Sequence, residues 1–264
     1  MNFSFLGKVK KLGITPVFLL VVFGNLWIWR VFKDNLLIGL FLVFSSFILY
    51  RSIKTGEFKK VLIIFMLILF AFQINKTDVR SLTYLNEQEK ILQQQRLNEH
   101  PPVNITLGGR TIWIPLAHWM EQRPEVLVLY RIQENLGQVL SPNLYFFANH
   151  PNERVGIKEH EKFPYILLPF FVIGLLSLKI GKNISSLAVF LFAPIFLMGL
   201  FGTQIDVEPM SLFPFVAVSS VFGIEYVWGK VSKLKFLSIK TLTSGAFLIL
   251  YILIFLQSYL FDKL

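Results

Sequence analysis

The chain contains no cysteine. That excludes a disulfide framework, a thiolate nucleophile and any metal site built on Cys. Charge is scarce as well: Asp, Glu, Lys and Arg make up 16% of 264 residues, against about 25% in a soluble domain. Also missing are a P-loop, a Gly-rich dinucleotide turn, an H-E-x-x-H or H-x-H pair and a Ser-His-Asp order. No internal repeat and no low-complexity segment occurs. What abounds is apolar: 54% of residues are hydrophobic, and 28 are Phe.

The apolar residues fall into seven stretches, at 14–31, 35–50, 61–74, 163–178, 184–201, 212–228 and 241–260. A helix needs about 20 residues to cross a bilayer, with roughly 17–25 usual. The third and fourth stretches have short apolar cores, and the second and third could together form a re-entrant hairpin. The expected fold is therefore mainly α, a polytopic membrane protein with about seven transmembrane helices. Three spans lie in residues 1–75 and four in 163–264. Between them, residues 76–162 form a small extracytoplasmic, mostly helical domain carrying a β-hairpin.

The net charge of +10 would point to nucleic acid if it were spread over a folded surface. Residues 76–162 instead hold ten basic and ten acidic residues, which leaves sixteen basic and six acidic for the loops beside the apolar stretches. That asymmetry belongs to a lipid bilayer, not to nucleic acid. One set of loops carries thirteen Lys and Arg, among them Lys8, Lys10, Lys11, Arg51, Lys54, Lys59, Lys60, Lys179, Lys182 and Lys230. The other short segments carry only Arg30, Lys33 and Lys263. The N-terminus is thus expected in the cytoplasm, with residues 76–162 and the C-terminus outside. No small-residue cleavage site follows the first stretch, so it reads as a retained signal anchor.

Within 76–162, Thr77-Asp78 offers an N-cap for a helix over 78–98, ended by Pro101-Pro102. Two alternating runs, 103–107 and 110–114, flank Gly108-Gly109 and read as a hairpin. Helical patterns return at 115–122 and 125–140.

Few residues bear chemistry. Of His100, His118, His150 and His160, none has metal-ligand spacing. Glu159-His160-Glu161 are consecutive, so on a helix they diverge by about 100° each, and a solvated rim is the plainer reading. Asp206 and Glu208, beside Thr203 and Gln204 in an outward loop, are the candidate catalytic or metal-binding residues. Two carboxylates at a membrane mouth could hold a divalent cation or act as a base, and they could equally be ordinary loop acids. Glu225 lies inside the sixth stretch, where an ionisable group is a functional candidate. Close to the cytoplasmic end, it could instead snorkel or pair with a nearby lysine. Asn25 and Arg30 suit a helix–helix hydrogen bond and an interface anchor. Asn104-Ile105-Thr106 fits a glycosylation sequon, relevant only in a eukaryotic secretory setting.

Residues 130–226 carry an ordered series of motifs. Ser141-Pro142-Asn143-Leu144-Tyr145-Phe146-Phe147 is followed by a polar loop with Gly156. Glu161-Lys162-Phe163-Pro164-Tyr165-Ile166-Leu167-Leu168-Pro169-Phe170-Phe171 then runs to Gly174-Leu175. Ala193-Pro194-Ile195-Phe196-Leu197 and Ser211-Leu212-Phe213-Pro214-Phe215 complete the series. The order resembles the late part of GT-C-type glycosyltransferases, multi-span enzymes that take sugars from polyprenyl-phosphate carriers. The resemblance implies a place in lipid-linked sugar metabolism and contact with a polyprenyl-phosphate lipid. In that family the catalytic acid sits in the first large outward loop. Here that loop spans only 30–35, with Asp34 its one acid, and the later loop has Asp206 and Glu208 in place of His and Arg. The implied protein is a shortened, non-catalytic relative or subunit. The alternative is a membrane scaffold whose extracytoplasmic domain binds a protein partner, for which Trp113, Trp119, Tyr130 and Tyr145 could supply an aromatic patch. A transporter would show a repeat and broken polar helices.

Overall fold

The computed structural model describes residues 15–57, 60–76, 82–147, 161–178, 184–201, 209–232 and 237–263. It is mainly helical with one two-stranded sheet. The apolar helices are α1 (Pro16–Phe23), α2 (Leu26–Asp34), α3 (Leu36–Thr55), α4 (Val61–Lys76), α9 (Leu167–Ser177), α10 (Ile184–Phe201), α11 (Phe213–Val231) and α12 (Leu237–Lys263). Between α4 and α9 come α5 (Glu87–Glu99), β1 (Val103–Leu107), β2 (Arg110–Ile114), α6 (Leu116–Glu121), α7 (Pro124–Leu140) and α8 (Asn143–Phe146).

Among the described residues, two helices are long and apolar enough to cross a membrane, Leu36–Thr55 and Met210–Val231, the latter including a 3-10 turn. A third span results if α1 and α2 count as one, but they meet at 62°. Shorter apolar helical stretches among the described residues run over Val61–Asn75, Leu167–Ser177, Ala188–Leu200 and Ser244–Leu260. α9 has 11 residues, about 16 Å at 1.5 Å per residue, where residues 163–178 were expected to span. Its start is delayed because Pro164 and Pro169 disfavour a longer helical run.

The unbroken first span expected over 14–31 is corrected by the bend, and the cause is local. The Asn25 side-chain amide donates to the carbonyls of Val21 and Val22 at 2.9 and 2.8 Å, while its oxygen accepts from the Ile28 amide. One side chain thus closes α1 and opens α2. Trp29 Nε1 donates to the Phe23 carbonyl at 2.7 Å, and the Tyr251 hydroxyl, from α12, to that of Gly24 at 2.8 Å. The carbonyls freed by the break are taken up by side chains, as an apolar surrounding requires. Asn25 therefore serves the break and not, as expected, a helix–helix bond.

α11 is the centre of the bundle and packs on α1, α3, α9 and α10. Its closest crossing is with α9. A Cβ on Gly223 would lie 1.7 Å from the Phe170 carbonyl oxygen, and one on Gly174 would lie 1.8 Å from that of Ser219. Only hydrogen at both positions lets the two backbones touch, as in small-xxx-small crossings of membrane helices. Trp27, Phe163 and Phe213 form an aromatic nucleus beside this crossing, with centroids 5.3–5.8 Å apart.

The expected helix over 78–98 begins later, at Glu87. Asn86 accepts from the Glu89 amide at 2.7 Å and the Glu89 carboxylate accepts from the Asn86 amide at 2.7 Å, a capping box that fixes the start there. Thr77 and Asp78 lie outside the described residues. The hairpin has the expected limits, with Leu107 opposite Arg110. Gly108 and Gly109 have φ of 58° and 79°, the signs that a two-residue hairpin turn demands and that side chains resist. The segment is not detached from the apolar helices: Asn135 of α7 donates to the Gly199 carbonyl of α10 at 3.0 Å.

Candidate functional site

Asp206 and Glu208, the acids singled out from sequence, lie outside the described residues, as do His150, Glu159 and His160. His100 ends α5, its amide bonded to the Arg96 carbonyl, and His118 Nδ1 pairs with Gln122 Oε1 at 3.0 Å on the surface. Among the described residues, no three His, Asp or Glu are placed to hold a metal ion. Glu161 is not simply a solvated rim residue. It is half-buried and accepts from the Ser258 hydroxyl of α12 at 2.5 Å. Burial raises its carboxyl above the usual range, and the Ser258 bond opposes that rise.

Glu225 has a partner, and it comes from another helix. Its Oε1 accepts from the Tyr50 hydroxyl at 2.6 Å and from Thr15 Oγ1 at 2.8 Å, with Lys54 Nζ 3.5 Å away. Lys54 also donates to the Tyr50 hydroxyl and lies over that ring. The nearer lysine in sequence, Lys230, lies instead over the Tyr226 ring at 5.6 Å. Thr15 is the N-cap of α1, so one carboxylate oxygen ties α1, α3 and α11 together. Two hydroxyls and an ammonium thus converge on Oε1, which makes that oxygen a structural acceptor joining three helices.

A groove of about 430 Å³ opens among α5, α6 and α7, with a floor that includes Leu85, Leu92, Leu127 and Tyr130. Three ion pairs line it. Arg131 Nη1 sits 3.0 Å from Glu89 and 2.9 Å from Glu134, and its Nη2 donates to the Tyr84 carbonyl at 2.8 Å. Arg96 lies 3.3 Å from Glu121. The hydrogen bonds that Arg131 donates to Glu89 raise the guanidinium above its ordinary value. The groove is thus apolar at its base, rimmed by paired charges and braced by α7. Of the four aromatics expected in a surface patch, Trp113, Trp119 and Tyr130 are 59%, 43% and 49% exposed. Tyr145 is core: its hydroxyl donates to the Val139 carbonyl at 2.8 Å, and burial pushes it far up.

No protein-family model, curated protein or solved structure matches this chain. The functional reading therefore rests on its own residues.

Sequence reasoning missed the groove and the Glu225 cluster. The Asn86–Glu89 capping box was a readable signal for where α5 starts. Nothing local marks Tyr50 and Lys54 as partners of Glu225, which are joined only by the packing of α3 on α11.

Proposed function

We propose that the chain is a multi-pass membrane scaffold of the cell envelope, non-catalytic, whose extracytoplasmic segment 76–162 holds a protein partner in the groove of α5, α6 and α7. The observation that carries this is the groove itself, an apolar floor with Tyr130 and Leu92 exposed and its charges already satisfied. Such a surface attracts an apolar side chain without the desolvation cost of an unpaired ion. Supporting the membrane placement are the two spanning-length helices and the thirteen basic residues gathered on one set of loops. In this reading the seven apolar stretches all enter the bilayer, the shorter helices completed by their flanking residues.

Two experiments test it. Because cysteine is absent, Gln94→Cys and Lys235→Cys report topology with an impermeant thiol reagent in intact cells; labelling at 235 with none at 94 would invert the assignment. A photoreactive residue at Tyr130 or Leu92 should give one discrete protein adduct, abolished by Leu127→Asp. If the groove positions give no more adduct than an exposed site such as Gln94, the scaffold proposal fails.

A second reading, a shortened GT-C relative that contacts a polyprenyl-phosphate carrier, is supported by the packing of the resembling stretch. Tyr145 and Phe163 are joined by a backbone bond of 2.8 Å, Phe163 stacks on Phe213, and Gly174 meets Gly223, so its motifs share one unit. Thermal stability of wild type and of Asp206→Asn with Glu208→Gln, with and without a millimolar divalent cation, tests it. Stabilisation by cation in wild type alone favours it; identical curves leave the scaffold reading in place.

A further inference from the structure

The hairpin presents two unlike faces. Alternation and the observed register place Val103, Ile105, Leu107, Ile112 and Ile114 on one side, with Arg110 at its tip. Asn104, Thr106, Thr111 and Trp113 occupy the other, where the two threonine hydroxyls meet at 3.5 Å. Val103, Ile105, Leu107 and Ile112 are all more than two-fifths exposed. A lone two-stranded hairpin is marginal in water, and an aliphatic face of this kind needs a cover.

We propose that this face lies on the outer leaflet of the bilayer, at the boundary between headgroups and acyl chains, with Arg110 and Arg123 against anionic headgroups. The inference rests on the membrane placement proposed above but not on the protein partner. Three observations favour lipid as the occupant. The segment runs at both ends into apolar helices, α4 and α9, which keep it at the surface. Arg110 stands at the rim of the aliphatic face and Arg123 over the Trp119 ring at 5.3 Å, and neither has an acidic partner among the described residues. A protein interface would have to pair or desolvate those cations, whereas a headgroup layer lets them reach phosphate. Pro115 alone separates β2 from α6, where Leu116, Trp119 and Met120 are exposed; Trp and Arg together suit the interfacial zone. The strand edges limit the depth, because open edges are not tolerated in hydrocarbon.

The test uses the full chain, reconstituted in phosphatidylcholine vesicles with and without phosphatidylglycerol. Single nitroxides go on Ile105→Cys, Ile112→Cys, Thr106→Cys and Thr111→Cys, with Phe44→Cys on α3 as the reference. Labels at 105 and 112 should relax with oxygen and be shielded from a nickel chelate, while those at 106 and 111 show the reverse. Phosphatidylglycerol should strengthen the contrast, and Arg110→Gln should reduce the immersed population there by about fivefold. Unchanged immersion in that variant overturns the anionic headgroup assignment. A reference label at 44 in water would defeat the membrane placement and this inference with it. Lipid at 44 with water at 105 and 112 overturns the hairpin inference alone. So does shielding from both relaxants seen only in native membranes, which would identify a protein as the cover.

Discussion

From Phe213 to Val221 every residue of α11 is buried, whereas no residue of the hairpin is. Both are rich in apolar and β-branched side chains, so composition does not explain the difference. A helix satisfies its own backbone and can be surrounded on all sides; a two-stranded sheet has two bare edges and one face too few. α11 is fixed by backbone contact at Gly174 and Gly223. The outward segment is fixed by caps and ion pairs, and its sheet stands apart. The two regions should therefore fail in different ways.

The largest effect is expected at the α9–α11 crossing. In Gly223→Ala the methyl has no room beside the Phe170 carbonyl, so the helices must part. Overpacking usually costs 1–3 kcal/mol; with backbone on both sides the loss should exceed about 3 kcal/mol in detergent unfolding. Gly229→Ala, on the same helix with open space around it, should be neutral or stabilising by up to about 1 kcal/mol. Equal effects from the two would mean that the crossing does not hold α11.

Next comes the clasp on α7. Arg131 is nearly buried and joins Glu89, Glu134 and the Tyr84 carbonyl. Arg131→Met should destabilise the outward segment by about 2 kcal/mol, since it strands the carboxylates it neutralised. Limited proteolysis should then cut near residues 82–99 while the apolar helices stay resistant. The exposed Lys90–Glu87 pair offers the contrast, and Lys90→Met should change nothing measurable.

Sequence made the periodic and the local legible. The Gly108-Gly109 turn and both strands were readable because a hairpin is specified by adjacent residues. The limits of α10 were readable from its unbroken apolar run. The bend at Asn25 was not, because an asparagine within an apolar run can cap, cross-link or face a cavity, and only the partner Tyr251, far along the chain, completes the break. In sequence Glu225 reads as free to snorkel or to pair with a nearby lysine; that Thr15, Tyr50 and Lys54 gather on it depends on how α1 and α3 pack against α11. The short helix at 167–177 shows the same limit, since hydropathy counts Pro164 and Pro169 as neutral to a span while backbone sterics do not.

A smaller effect should follow pH at the junction of the two regions. Burial raises the Glu161 carboxyl above its model-compound value of 4.5, so the folded state prefers it protonated. The sign is that of a raised acid: the cost is present at neutral pH and is lost as pH falls through the folded value toward 4.5. Wild type should gain stability over that interval. Glu161→Gln should lie slightly above wild type at pH 7, by less than about 1 kcal/mol because the group is half in solvent, and the two curves should converge in acid. A variant less stable at pH 7 would show that the Ser258 bond outweighs burial.

The smallest effect on global stability is expected at the hairpin turn, although the local one is large. Both central glycines sit at positive φ, which costs an L-residue roughly 1–2 kcal/mol at each position. Gly108→Val with Gly109→Val should therefore unzip the strands, and amide exchange at Ile105 and Ile112 should rise to that of an open chain. The hairpin is exposed throughout, so the melting transition of the remaining chain should move by less than about 0.5 kcal/mol, as surface changes do. In vesicles the double variant should also lose any alternating lipid contact at 105 and 112, because the alternation exists only while the strands are paired. If instead the whole outward segment melts with the turn, the hairpin is part of its core, and the contrast with α11 is one of degree.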